Sequence, residues 1–98
     1  MFGKLYNTID IMIHPRRAFR DIRLCREGVS PHDFNVYNRP WLIARQFNLV
    51  LDIGAARGSH TLLFRRLFPS AKIHAFEPQP EGFAELCGRM QNQPNVEC

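Results

Sequence analysis

The stretch VLDIGAARGSHTLLFRRLFPSAKIHAFEP, from Val50 to Pro78, constrains the fold of this chain more than any other part of it. Leu49–Ile53 is a short, continuous apolar run, the pattern of a strand buried on both faces in a parallel sheet. The chain then turns through Gly54 and Gly58 into a helical pattern that runs from about Gly58 to Phe68. Leu63, Phe64 and Leu67 fall on its inner face, and Pro69 stands just past its end. Lys72–Phe76 reads as a second strand. Pro80 opens a second helix in which Phe83, Leu86, Cys87 and Met90 recur at helical spacing. Asn95–Cys98 reads as the entry to a third strand. The order β-α-β-α-β predicts an α/β fold, the opening half of a doubly wound sheet.

The residues before this unit read differently. Residues 1–13 fit a short helix or an irregular arm. Pro15 to Glu27 is predicted as a helix, because proline suits a first turn and Gly28 suits the stop. Ala18, Phe19, Ile22 and Cys25 share one face of it, and Arg16, Arg20 and Arg23 another. That arginine stripe could grip an acidic substrate, a membrane surface or nucleic acid, but it reads first as a solvated helix face. Ser30–Pro31 with Asp33 marks a further helix start. Arg39–Pro40 interrupts, and Trp41 to Phe47 is a short apolar segment leading to the first strand. Two regions are therefore expected: a helical, basic N-terminal segment, residues 1–46, and the sheet-forming unit, residues 47–98.

Charge follows the same division. The net charge is +4, and residues 1–46 carry eight Lys/Arg against four Asp/Glu, whereas residues 47–98 carry five of each. So modest an excess is weak evidence for an acidic partner, and a nucleic-acid partner is not expected. With 98 residues there is room for one small domain or a piece of a larger one, and for only a modest core. Cys25, Cys87 and Cys98 are odd in number and too scattered for a zinc site or a disulfide framework, so reduced thiols are expected. MFGKLYNTIDIMI is interrupted by Asn7, Thr8 and Asp10 before an apolar core develops, so it is not read as a signal peptide. No apolar run approaches membrane-spanning length, and a soluble, cytoplasmic chain is expected.

The glycine turn narrows the ligand. A dinucleotide fingerprint requires G-x-G-x-x-G, but counting from Gly54 the second and third positions are Ala56 and Ser59. No Walker spacing occurs anywhere, so phosphate cradling is disfavoured. What remains is D-x-G-x-x-x-G after a strand, with Glu77 closing the next strand 19 residues beyond Gly58. A carboxylate there can accept from both hydroxyls of a ribose, one on each oxygen. Gly54 permits close approach, Asp52 attracts an ammonium group, and the N–H groups that open the following helix receive a carboxylate. Ribose, ammonium and carboxylate together describe S-adenosylmethionine.

From Val50 to Met90 the chain resembles the class I S-adenosylmethionine-dependent methyltransferases, and within them the FkbM-like family. The resemblance is carried by LDIGAARGSHTLLF and IHAFEPQPEGFAEL. It implies a Rossmann-like methyltransferase domain with Asp52, Gly54, Ala55, Gly58 and Glu77 as the cofactor-binding set. Asp52 and Gly54 would line the methionine end, Gly58 would start the helix beneath the cofactor, and Glu77 would hold the ribose. Thr61 matches a recurrent family position. Ala56-Arg57 departs from the family, whose members often carry Asn and a small aliphatic residue there. The resemblance also implies methyl transfer to an oxygen of an acceptor that is a small molecule or of saccharide or lipid type.

No metal ligand set and no catalytic group can be named. His60 and His74 lack an identifiable catalytic partner, so structural roles are expected for both, and packing for Cys87. A doubly wound sheet places its ligand crevice between the first and fourth strands, and no fourth strand can be read here. The expected whole is therefore a longer enzyme of which these residues form the N-terminal part. Alone, they would leave the first strand as an apolar edge prone to self-association. Two other readings remain: a non-catalytic interaction module using the basic helix, and a nicotinamide-dependent oxidoreductase, which the glycine spacing disfavours.

Overall fold

A computed structural model describes Met12 and residues 14–98. The expectation for residues 1–13 falls, apart from Met12, outside the described residues. Three helices come first: α1 (Pro15–Arg26), α2 (Pro31–Tyr37) and the short α3 (Pro40–Ile43). They are followed by β1 (Leu49–Ile53), α4 (Ser59–Leu67), β2 (Lys72–Phe76), α5 (Pro80–Met90) and β3 (Val96–Glu97). Among the described residues no helix is long and apolar enough to cross a membrane.

Local chemistry accounts for most of these boundaries. Proline occupies the first turn of α1, α2, α3 and α5, where its missing N–H costs nothing. α1 ends when Gly28 takes φ +82° and the Val29 N–H returns to the Leu24 carbonyl at 2.8 Å. This is the wrapped C-terminal geometry that glycine favours. Ser30 caps α2 by accepting the Asp33 N–H. The segment Trp41 to Phe47 is helical only at its start, where α3 forms.

The strands build a parallel sheet in the order β1-β2-β3. Leu49 pairs with Lys72, Asp52 with Ala75 and Ile53 with Phe76, while Ile73 pairs with Val96 and His74 with Glu97. The chain is thus a small α/β domain with a three-stranded parallel sheet. Side chains alternate across it. Ile73 and Ala75 are buried beneath the helices, and Ala75 packs with Ala55, Leu86 and Met90.

The opposite face is bare. Leu51 is 56% exposed and Ile53 73%, with Leu49 and Phe76 also about half exposed. This corrects the expectation of a β1 buried on both sides. Both crossovers, through α4 and α5, run in the same direction across the sheet, so right-handed connections place both helices on one face. An uninterrupted apolar sequence therefore coexists with a one-sided covering.

The helical segment is not a separate body. Leu24 and Val29 share a core cluster with Leu63, Leu67, Phe68 and Ala71, with Phe34, Tyr37, Leu42 and Val50 packed around it. Tyr37 meets Phe64 edge-on with ring centroids 5.2 Å apart. At the α1–α2 contact Arg20 donates to Asp21 and Asn35 and lies over the Phe34 ring. Glu27 and Arg66 form an ion pair between the end of α1 and α4.

The apolar faces read on two of the helices are only partly buried. Phe19 does not share the buried face of α1. It is 64% exposed, and the inward positions are Ala18, Asp21 and Leu24. Phe83 likewise looks outward from α5, whereas Leu86 and Met90 are buried.

Cysteine chemistry also differs from expectation. Cys87 on α5 and Cys98 just after β3 are joined in a disulfide with Cα atoms 5.9 Å apart, leaving Cys25 as the free thiol. Burial, reinforced by the nearby Asp21 carboxylate, pushes the Cys25 thiol above its ordinary pKa. The Cys87–Cys98 link spans 11 residues and anchors a strand only two residues long. Closing so short a loop restricts the unfolded chain, so reduction is expected to lower the unfolding free energy by about 2 kcal/mol. Urea unfolding with and without dithiothreitol measures it, and coincident curves would mean that the link carries no stability.

Candidate functional site

The carboxyl end of the sheet gathers the residues of interest. β1 runs out at Ile53, and both Gly54 and Ala55 then donate their N–H groups to the Phe76 carbonyl at 2.8 Å. The turn that follows holds three residues at positive φ: Gly54 (+79°), Ala56 (+50°) and Gly58 (+92°). For Ala56 this left-handed conformation is uncommon and costs free energy. What it gains is direction, since the Ala56 N–H points at Glu77 Oε1 at 2.9 Å.

Glu77 is held from two sides. Its Oε1 accepts from Ala56 and its Oε2 accepts from the Gln79 N–H, also at 2.9 Å. The backbone of Gly82 sits close beneath the carboxylate stem, where a Cβ would lie 3.2 Å from Cγ. The side chain is consequently fixed before any ligand arrives. Each carboxylate oxygen has two lone pairs, so one acceptor position per oxygen is left for a ligand hydroxyl.

Beside Glu77 opens a groove of about 540 Å³. Its apolar walls come from Ile53, Ala75, Phe76, Pro78 and Phe83, and its polar rim from Glu77, His74 and Glu97. Gly54 borders it with nothing within 4 Å of where a Cβ would stand. The groove is thus a mostly apolar trough with a fixed carboxylate at one end, and it continues onto the bare sheet face. Such a shape suits a flat apolar group joined to a hydroxylated one.

Asp52, Ala55 and Gly58, the other residues of the expected cofactor-binding set, lie around this groove rather than in it. Asp52 shares the sheet end with Glu77, but its side chain is buried and accepts the Thr61 hydroxyl at 2.6 Å through Oδ2. Ala55 is buried against Ala75 and Leu86. Gly58 is buried at the N-cap of α4, where a Cβ would lie 2.5 Å from Met90 Cε and 2.8 Å from Leu86 Cδ1. Gly58 therefore serves the close approach of α4 to α5. Thr61, completely buried, is the partner that Asp52 requires in a dry position.

His60 packs edge-on against Tyr37 and lies 3.8 Å from Asp33, away from the groove. His74 stands elsewhere, on β2. It lines the groove with Glu97 3.5 Å away, and Lys72 reaches the same glutamate at 3.6 Å. The only sequence signal for this group was the parity of Lys72, His74 and Phe76, which places them on one face of β2. Their meeting with Glu97 depends on the β2–β3 register. Among the described residues no group of three or more His, Cys, Asp or Glu is arranged to hold a metal ion. No family model, no curated protein and no solved structure matches this chain.

Proposed function

We propose that the chain carries the ribose-holding part of an S-adenosylmethionine site and serves methyl transfer, with Glu77 as the principal contact. The observation that supports this reading is the clamped Glu77 carboxylate, which keeps one acceptor position on each oxygen at the mouth of an apolar groove. A ribose presents two vicinal hydroxyls, and a carboxylate matches that pair of donors. The base would lie along the groove against Ile53, Phe76 and Pro78, and the open space at Gly54 would admit the sulfonium end. Bound S-adenosylmethionine supplies an electrophilic methyl group to an acceptor nucleophile.

The residues present fit the nucleoside end better than the amino-acid end. The Asp52 carboxylate lies beneath the turn and is bonded to Thr61, so its influence on an ammonium group would be through its charge and its hold on the turn. An oxygen acceptor and a Rossmann-like methyltransferase domain of FkbM type complete the proposal, and both rest on the sequence resemblance.

Isothermal titration with S-adenosylhomocysteine tests the reading directly. Binding is expected for the full chain, and Glu77→Ala is expected to weaken it at least tenfold, since about 1.5–3 kcal/mol attaches to hydrogen bonds with a charged partner. Glu77→Gln, which keeps one carbonyl acceptor, is expected to fall between. Undiminished affinity of the alanine variant would remove Glu77 from the site, and tighter binding of a nicotinamide dinucleotide would replace the methyl-transfer reading.

A further inference from the structure

The outward face of α1 is unlike the solvated stripe read from the sequence. At 100° per residue, Arg16, Phe19, Arg23 and Arg26 fall within about 40° of one line along α1. The buried positions Ala18, Asp21 and Leu24 lie on the opposite side. Phe19, in the middle of this line, is 64% exposed. Arg16, Arg23 and Arg26 are all exposed, and none has a carboxylate within ion-pair distance among the described residues.

Each component has an ordinary use that leaves something over. Arg23 and Arg26 stand in the last turn, where they complement the helix dipole. That does not account for Arg16 at the other end, nor for an aromatic ring held in water between the cations. Arg20, by contrast, is spent on Asp21, Asn35 and Phe34 and belongs to the fold.

We infer that this face of α1 docks on an anionic phospholipid bilayer, with Arg16, Arg23 and Arg26 on lipid phosphates and Phe19 inserted between them. The charges and the ring together select the partner. Guanidinium groups with no carboxylate beside them are free to pair with phosphates, and a phospholipid leaflet spreads such anions over a surface. A ring with no hydrogen-bonding atom finds its complement in the boundary between headgroups and acyl chains. The line lacks Asn, Gln and Lys, so it offers no amide for base edges, and a nucleic-acid partner would leave Phe19 with stacking alone. This inference is independent of the cofactor reading.

Flotation with vesicles decides it, because self-associated protein sinks while vesicle-bound protein rises. The full chain is expected to float with vesicles of phosphatidylcholine and phosphatidylserine and not with phosphatidylcholine alone, and added salt should release it. Replacing Arg16, Arg23 and Arg26 together with alanine should weaken binding by about a hundredfold, at roughly fivefold per charge near a lipid surface. Phe19→Ser should weaken it about fivefold or more through lost insertion. All four positions are exposed, so far-UV circular dichroism of the variants should match the parent. Equal flotation with neutral vesicles, or full binding by Phe19→Ser, overturns the inference. Capture on single-stranded RNA without flotation overturns it in favour of nucleic acid.

Discussion

Replacing Thr61 with valine is expected to lower the unfolding free energy by about 3 kcal/mol, because it removes the neutral donor from a hydrogen bond to a buried carboxylate and leaves that carboxylate unsatisfied. The hydroxyl of Thr61 is the donor that Asp52 Oδ2 accepts at 2.6 Å, and both side chains are buried. Valine has nearly the same shape as threonine, so no cavity opens and the deficit is electrostatic. In a small domain this is a large share of the total stability. Urea unfolding measures it as a lowered midpoint at an unchanged slope. Asp52→Asn keeps an acceptor and should cost less. A midpoint for Thr61→Val within about 0.5 kcal/mol of the parent would mean that water reaches the carboxylate.

Gly58→Ala should be nearly as damaging, by a different route. A methyl group there sits at φ +92°, 2.5 Å from Met90 Cε and 2.8 Å from Leu86 Cδ1. The left-handed backbone costs about 1–2 kcal/mol for an L-residue, and crowding a filled core adds about 1–3 kcal/mol. The Met90 methyl can swing aside, but Leu86 is completely buried, so a loss of about 3 kcal/mol is expected. Gly54→Ala supplies the comparison, having φ +79° but open space around it, and should show the conformational part alone. Equal losses for the two variants would show that α4 and α5 yield without resistance.

The order of strands and helices from residue 47 onward was legible because glycine and proline punctuate it. β1 and β2 occupy the residues read from the sequence, and Gly58 marks the start of α4. Asp52 and Glu77 were also legible as strand ends, since one strand–helix–strand crossover returns the chain to the same edge. What Asp52 does there was not legible. Its bond to Thr61 depends on α4 pressing onto β1, and periodicity cannot distinguish an open carboxylate from a covered one.

The same limit explains the other departures. An apolar run says that a strand avoids water but not how many layers cover it, so the bare side of β1 went unread. Phe19 shares an apolar face with Ala18, Ile22 and Cys25 in the sequence, yet the three arginines on its line mark its side as the outer one. The Cys87–Cys98 link joins the middle of a helix to the end of a strand, and only the return of β3 beside β2 brings the two together.

The uncovered side of the sheet has a thermodynamic consequence. Leu49, Leu51, Ile53 and Phe76 present to water the kind of surface whose removal drives folding. Anything that settles on that side and ignores the unfolded chain adds RT ln(1 + [L]/Kd) to the measured stability. A melting temperature for this protein is therefore a statement about its company and its concentration as much as about its own contacts.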